Sequence, residues 1–267
     1  MQKSILVTGA TDGIGLETVK MLVTKGHHVI VHGRSADKVQ HVKEQLIALD
    51  SSARVDTIVA DLSVMSSIDT MVTEVSNRFS SLDVLINNAG VFNTVSTITA
   101  NNLDVRFAVN TLAPYILTSK LIPLMAPSGR IVNLSSAAQS TVNLDALAGN
   151  KSLSHGEAYA QSKLALTMWS RVLGLRNKVQ GPMIVSVNPK SLLGSKMVQD
   201  AYGIAGSDLS VGADILVRAS LSEEFAQAHG QYYDNDIEAF APPHRDALDD
   251  TKAQEVIDAL DIFWAGR

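Results

Sequence analysis

Cysteine is absent, which excludes disulfides, thiolate catalysis and cysteine-ligated zinc and fits a reducing compartment. Positive charge is also short: 22 Lys and Arg face 27 Asp and Glu, a net −5 that seven histidines would not reverse near neutrality. Nucleic acid is therefore not an expected partner, since it requires clustered cationic excess. No apolar run approaches the roughly 18 residues that span a bilayer, and no basic amphipathic helix suggests a membrane anchor. A cleavable leader is not expected, because the first strand begins by about Ser4 and Gly9 follows directly. Internal repeats, low-complexity tracts and flexible linkers are missing. His27, His28, His155 and His244 lack metal-ligand spacing and read as ordinary polar residues. The expectation is a soluble, cytoplasmic protein with no metal, membrane or nucleic-acid partner.

What is present reads as one α/β domain over residues 1–267, a length that a single core accommodates. The organising stretch is 8–15, TGATDGIG. It follows the apolar run Ser4–Val7, a buried strand, and opens a helical pattern carried by Ile14, Leu16, Val19, Met21, Leu22 and Val23. Between strand and helix, Gly9 lets the chain turn tightly, Gly13 leaves no Cβ before a bound pyrophosphate, and Gly15 allows close packing. The helix N-terminus adds unpaired N–H groups and partial positive charge. The spacing Gly-x3-Gly-x-Gly differs from the commonest dinucleotide fingerprint, so a purely structural glycine turn is the alternative.

A second strand at 27–31 ends in His32-Gly33-Arg34-Ser35. In a dinucleotide fold an acid near this point accepts from the adenosine ribose hydroxyls. Here Gly33 lies 18 residues after Gly15 and no acid precedes Asp37, while Arg34 supplies a planar donor fork suited to phosphate. The pattern favours NADP, with NAD possible; Asp12 in the glycine turn weighs against a nearby 2′-phosphate, and Arg34 as a solvated residue is the alternative. A helix at 39–49 precedes a third strand at 54–60 that ends in Asp61-Leu62, where a carboxylate suits the adenine amino group. A helix at 64–79 and a fourth strand at 82–86 lead into Asn87-Asn88-Ala89-Gly90. This βαβαβαβ order predicts a doubly wound Rossmann-type fold with a mostly parallel sheet and its ligand at the strands' carboxyl ends.

Helical patterns at 103–110 and 112–125 are interrupted by Pro114. A fifth strand at 130–134 delivers Ser135-Ser136, and Tyr159-Ala160-Gln161-Ser162-Lys163 lies within an amphipathic helix. Positions i and i+4 share a helical face, so Tyr159 and Lys163 address one ligand together. Reducing a carbonyl needs hydride at carbon and a proton at oxygen. Lowering a tyrosine from about 10 to about 7 requires roughly 4 kcal/mol, about what an ammonium at about 4 Å supplies at an effective dielectric near 20. Tyr159 is therefore the expected acid/base, Lys163 its activator and ribose contact, and Ser136 the group orienting the carbonyl, with Ser135 the lesser choice. A surface Tyr/Lys pair and a strand-ending Ser are the alternative.

These residues resemble the short-chain dehydrogenase/reductase superfamily, in its one-domain type. By that resemblance Gly9, Thr11, Asp12, Gly13, Ile14 and Gly15 form the cofactor turn, and Asp61 and Leu62 contact adenine. Asn88, Ala89 and Gly90 border the cofactor, Asn110 positions a water in the proton relay, and Pro189 in the turn after a sixth strand meets the nicotinamide. Members usually carry glycine after that proline; this chain carries Lys190, pointing either toward the ligands or into solvent. Ser136 and Tyr159 stand 23 positions apart, a spacing similar to retinol-dehydrogenase-like and protochlorophyllide-reductase-like branches, with the insertion 140–156 as a pocket wall. The resemblance implies an oxidoreductase acting on a small-molecule carbonyl or alcohol, assembled as a homodimer or homotetramer.

Residues 191–230 are the expected substrate lid, with a helix over 211–220; a short strand at 231–233 and a helix at 251–264 follow. Met197, Tyr202, Phe225, Tyr233 and Phe240 are candidates for an apolar pocket or for ordinary packing. A redox-sensing NADP-binding regulator without turnover is the alternative function, and an epimerase or dehydratase a further one.

Overall fold

The computed structural model describes residues 1–266, except the side chains of 201 and 202. Its first half alternates β1 (Ser4–Val7), α1 (Gly13–Thr24), β2 (His28–Gly33), α2 (Ala36–Leu49), β3 (Val55–Val59), α3 (Met65–Arg78) and β4 (Val84–Asn87). The second half comprises α4 (Val105–Phe107), α5 (Ala113–Leu121), β5 (Arg130–Leu134), α6 (Leu144–Leu147), α7 (His155–Arg176) and β6 (Met183–Asn188). It ends with α8 (Lys196–Tyr202), α9 (Leu209–Leu221), β7 (Tyr232–Asp234), β8 (Ala239–Ala241) and α10 (Asp250–Ala265). The eight strands form one sheet ordered β3-β2-β1-β4-β5-β6-β7-β8, parallel except for β8.

The near-continuous apolar strands require cover on both faces, and strand alternation divides the core accordingly. Ile5, Val7, Val29 and Val31 pack with α1, α2 and α9, whereas Leu6, Ile30, Leu85 and Ile131 pack with α3, α5, α7 and α10. The strand order reverses between β1 and β4. Their carboxyl ends therefore open the crevice where a ligand of such a sheet binds.

The sequence pattern is refined in three places. The helical stretch around Asn110 is not two plain helices: Ala108–Leu112 forms a π-helical turn in which the Ala113 N–H reaches the Ala108 carbonyl. Pro114 follows without an N–H to donate, so the ladder is already broken there. Helix α8 and strand β8, which pairs antiparallel with β7, lie outside the expected pattern. Among the proposed pocket residues, Phe225 and Tyr233 are fully buried, and with Phe240 they stack on one another at centroid distances of 5.0–5.1 Å. Those three serve as packing; Met197 is half-buried on α8, and the Tyr202 side chain lies outside the described residues. Among the described residues no helix is long and apolar enough to cross a membrane.

Candidate active site

The turn after β1 is locked to the turn after β4 by reciprocal hydrogen bonds. Thr8 Oγ1 accepts from the Asn88 and Ala89 N–H groups at 3.0 and 3.1 Å, while Asn88 Nδ2 donates to the carbonyls of Thr8 and Gly9 at 2.9 and 3.0 Å. Gly9 sits at φ +65°, and a Cβ there would lie 2.8 Å from Ala89 Cα. At Gly15 a Cβ would collide with the Gly9 carbonyl and come within 2.5 Å of Asn88 Nδ2. Gly15 thus serves contact with the turn itself. Gly13, at φ +55°, has room for a Cβ, which would make only an ordinary contact with Ser195 Cβ at 3.8 Å. Asp12 caps α1, its Oδ1 accepting from the Gly13 N–H at 2.8 Å. Ile14 packs its side chain near Gly212 of α9, leaving its backbone for any ligand.

His32 holds the same turn, and the sequence reading missed it. Its Nδ1 accepts from the Gly9 N–H at 3.2 Å, so its Nε2 carries the proton and donates to the Ala60 carbonyl at 3.1 Å. Its own carbonyl accepts from the Ala10 N–H at 2.9 Å. Burial pushes the imidazole from 6.5 down to about 4. Unfolding therefore takes up a proton between those limits: the stability His32 contributes is present above pH 6.5 and is lost as pH falls toward 4, a change on the order of 3 kcal/mol. Denaturant unfolding should show the deficit of His32→Gln relative to wild type shrinking across that window. A deficit independent of pH would contradict the buried neutral histidine.

Arg34 is exposed at the end of β2. A Cβ on the adjacent Gly33 would lie 2.6 Å from Thr11 Cγ2, so Thr11 and Arg34 share this edge. Asp61 follows β3, with Oδ1 accepting from the N–H and hydroxyl of Ser63 at 2.9 and 2.7 Å. The Leu62 side chain is buried in the core, so only its backbone can meet a nucleotide.

The π-helical turn presents Asn110, whose Oδ1 accepts from the Val91 N–H at 2.8 Å. Its Nδ2 donates to the Val91 carbonyl and Ser162 Oγ, each at 3.0 Å. Ser162 Oγ in turn donates to the Tyr159 carbonyl at 2.7 Å, so Asn110 is tied to the turn of α7 bearing Tyr159. Ser162, to which helical spacing alone assigns no role, supplies that link. A capping box formed by Ser154 and Glu157 starts α7 and fixes where Tyr159 falls.

Lys163 is buried, at 3% exposure, and its Nζ donates to the Leu134 carbonyl at 2.7 Å. Burial pushes the ammonium down from 10.5 to about 8. Nζ lies 5.8 Å from the centroid of the Tyr159 ring, and Phe92 meets that ring edge-to-face at 4.9 Å. A Cβ on Gly90 would stand 3.5 Å from Lys163 Nζ and 3.4 Å from Asn110 Oδ1, so glycine keeps a gap open between two polar groups. Ser136 leaves the same sheet edge, its Oγ accepting from the Ala138 N–H at 3.1 Å; Ser135 is buried and bonded to Thr167 at 2.7 Å.

Pro189 follows β6, and its carbonyl accepts from Asn235 Nδ2 at 3.0 Å. Lys190 is half-buried with φ +118°, outside the conformations an L side chain favours. The insertion carries α6, whose Ala146 and Leu147 are buried. It is stitched to α7 by a bond from the Asn143 N–H to Gln161 Oε1 at 2.9 Å. The segment 191–230 carries α8 and α9, and a bond from Asn93 Nδ2 to the Asp200 carbonyl at 3.4 Å ties it to the loop after β4. Each histidine questioned for metal binding has another partner: His27 the Lys3 N–H, His28 Asp56, His155 Asn93 and His244 the Asp246 N–H. Among the described residues no group of three or more side chains could hold a metal ion.

The family model described as short chain dehydrogenase matches residues 3–202, ending before α9, β7, β8 and α10. The chain is 28% identical to the short-chain dehydrogenase TIC 32 A, chloroplastic, of Brassica napus, over 95% of this chain and 86% of that protein. It is 35% identical to retinol dehydrogenase 11 of Mus musculus over 70% of this chain and 60% of that protein. Among solved structures it is similar to the landomycin C-6 ketoreductase LanV with bound NADP and rabelomycin, at TM-score 0.67 and 26% identity, covering 87% of this chain and 94% of that one.

Proposed function

Because the chain belongs to the short-chain dehydrogenase family, an oxidoreductase family, we propose that it moves hydride between NADP(H) and a small or apolar carbonyl or alcohol, with Tyr159 as acid/base. The observation that carries this reading is the buried Lys163 ammonium beside the Tyr159 ring, facing the gap kept by Gly90. A cation held at that depth on a backbone carbonyl, with no carboxylate paired to it among the described residues, is costly, and such groups cluster at functional sites.

The residues present fit NADP. Gly13 opens onto space that a side chain would fill, at the N-terminus of α1, which suits a pyrophosphate. Arg34 and Thr11 would hold the 2′-phosphate, Asp61 and the Leu62 backbone the adenine, and Asn88, Ala89 and Gly90 the ribose side of the crevice. Lys163 would hold the nicotinamide ribose, and Pro189 would border the nicotinamide. Bound NADPH supplies the hydride. Ser136 Oγ orients the carbonyl oxygen, the Tyr159 phenol gives it a proton, and Lys163 favours the phenolate left behind. Asn110 acts as a positioning residue for a water that returns the proton. The segment 191–230 closes over the substrate, within a single domain spanning 1–267.

Association as a homodimer or homotetramer through α5 and α7 would have to include α10. That helix lies across both, with Tyr115 bonded to Asp261 at 2.7 Å and Arg171 paired with Asp250 at 2.6 Å.

Arg34→Ala is expected to raise the Kd for NADPH about 10- to 100-fold and leave that for NADH within about threefold, as loss of a charge-assisted phosphate contact would. Titration of both nucleotides checks this; equal losses would remove Arg34 from the phosphate site. The functional reading is tested by NADPH consumption against aldehydes, ketones and quinones after nucleotide binding has been verified. Binding without turnover of any of them would favour the regulator.

A further inference from the structure

The turn after β6 has a backbone its own sequence does not favour. Lys190 lies at φ +118° and Leu192 at φ +55°, and neither is glycine. Residues in such conformations persist where surrounding contacts over-determine them. Leu192 is held by Ser207, whose N–H donates to its carbonyl at 2.9 Å, whereas the contacts on either side of Lys190 come from one segment, 234–236, which closes β7 and enters the hairpin to β8.

Asp236 supplies three of them. Its Oδ1 accepts from the Ser191 N–H at 2.9 Å, and its Oδ2 accepts from the Ser191 hydroxyl at 2.6 Å and from Asn188 Nδ2 at 2.9 Å. Asp234 Oδ1 takes the same Asn188 amide at 2.8 Å, and Asn235 Nδ2 holds the Pro189 carbonyl at 3.0 Å. The Asn235 N–H also donates to the Asn188 carbonyl at 3.1 Å. Both sides of Lys190 are therefore fixed by one neighbouring segment. Desolvation raises the Asp236 carboxyl, but the hydrogen bonds from Ser191 and Asn188 and the positive charge of Lys190 outweigh it and hold the group below its ordinary range, keeping it an ionised acceptor.

We infer that Asp236 is a positioning residue for cofactor binding, holding the turn 188–191 in the shape that presents Pro189 and the Lys190 backbone to NADP. The inference rests on the proposed placement of NADP along that turn. Asp236 touches no ligand in this role; it substitutes for the glycine whose freedom would let the turn adopt its shape unaided. The hairpin closing the sheet edge thereby takes part in nucleotide recognition.

The test is a double-mutant cycle on NADPH affinity, read by nucleotide fluorescence with thermal unfolding alongside. Asp236→Ala in the wild-type chain should raise the Kd about tenfold, about 1.4 kcal/mol. In a chain already carrying Lys190→Gly, the same substitution should cost less than about threefold, because glycine adopts the turn without the clasp. Asp236→Asn, which keeps one acceptor oxygen for the Ser191 N–H but turns an NH2 toward the Asn188 amide and lacks the charge, should fall between wild type and Asp236→Ala. Asp236 is exposed, so these variants are expected to fold. Equal losses in the two backgrounds, or no loss in either, would overturn the inference while leaving the NADP site standing. Failure of the wild-type chain to bind NADPH would overturn both.

Discussion

Tyr159→Phe should lower kcat for carbonyl reduction by about 10²- to 10⁴-fold, the range for removing a positioned general acid, with the Kd for NADPH within about threefold of wild type. The substitution removes one oxygen. The ring remains edge-to-face with Phe92, and the backbone carbonyl still accepts from Ser162. Lys163 keeps its bond to the Leu134 carbonyl, which Tyr159 does not supply. A loss confined to kcat would locate Tyr159 in the proton transfer, whereas a parallel loss of nucleotide affinity would make it a structural member of the site. Rapid-mixing kinetics at saturating NADPH, paired with equilibrium titration, separates the two.

Gly15→Ala should abolish measurable NADPH binding and lower Tm by roughly 5–10 °C, consistent with a few kcal/mol of overpacking in a chain of this size. The new methyl would meet the Gly9 carbonyl, which is backbone, and Asn88 Nδ2, which is fixed by two hydrogen bonds. Neither can step aside without parting the turn after β1 from the turn after β4. Gly13→Ala provides the contrast: its Cβ meets nothing closer than 3.8 Å, so the positive φ is the main penalty and Tm should fall less. Scanning calorimetry and NADPH titration of both variants check the pair. Similar Tm losses would refute the distinction between a packing glycine and an open one.

The contrast shows where the sequence was legible. Strand, glycine turn and helix at 4–24 could be read because apolar periodicity and glycine punctuation are local signals. The pairing of Tyr159 with Lys163 followed from helical spacing alone. Contacts made across the fold were not legible. His32 reaches Gly9 from the end of the neighbouring strand, and Thr8 Oγ1 reaches two amides 80 and 81 positions away. A polar residue at a strand end has many possible partners, and the strand pairing selects one. Helix α8 and strand β8 are too short for periodicity to reveal. The π-helical turn holding Asn110 was visible only as an awkward proline four residues later. The departure at Lys190 was legible as a missing glycine; the clasp at 234–236 that accommodates it required the fold.

The most direct test of the chemistry is the fate of a deuteride carried at C4 of NADPH. Incubated with the wild-type protein and a carbonyl that it turns over, the labelled nucleotide should give an alcohol with one deuterium on the former carbonyl carbon. NADPH oxidation and alcohol formation should be equal in amount. An alcohol without that deuterium, or no carbonyl reduced by a protein shown to bind NADPH, would contradict the proposed direct hydride transfer beside Ser136, Tyr159 and Lys163.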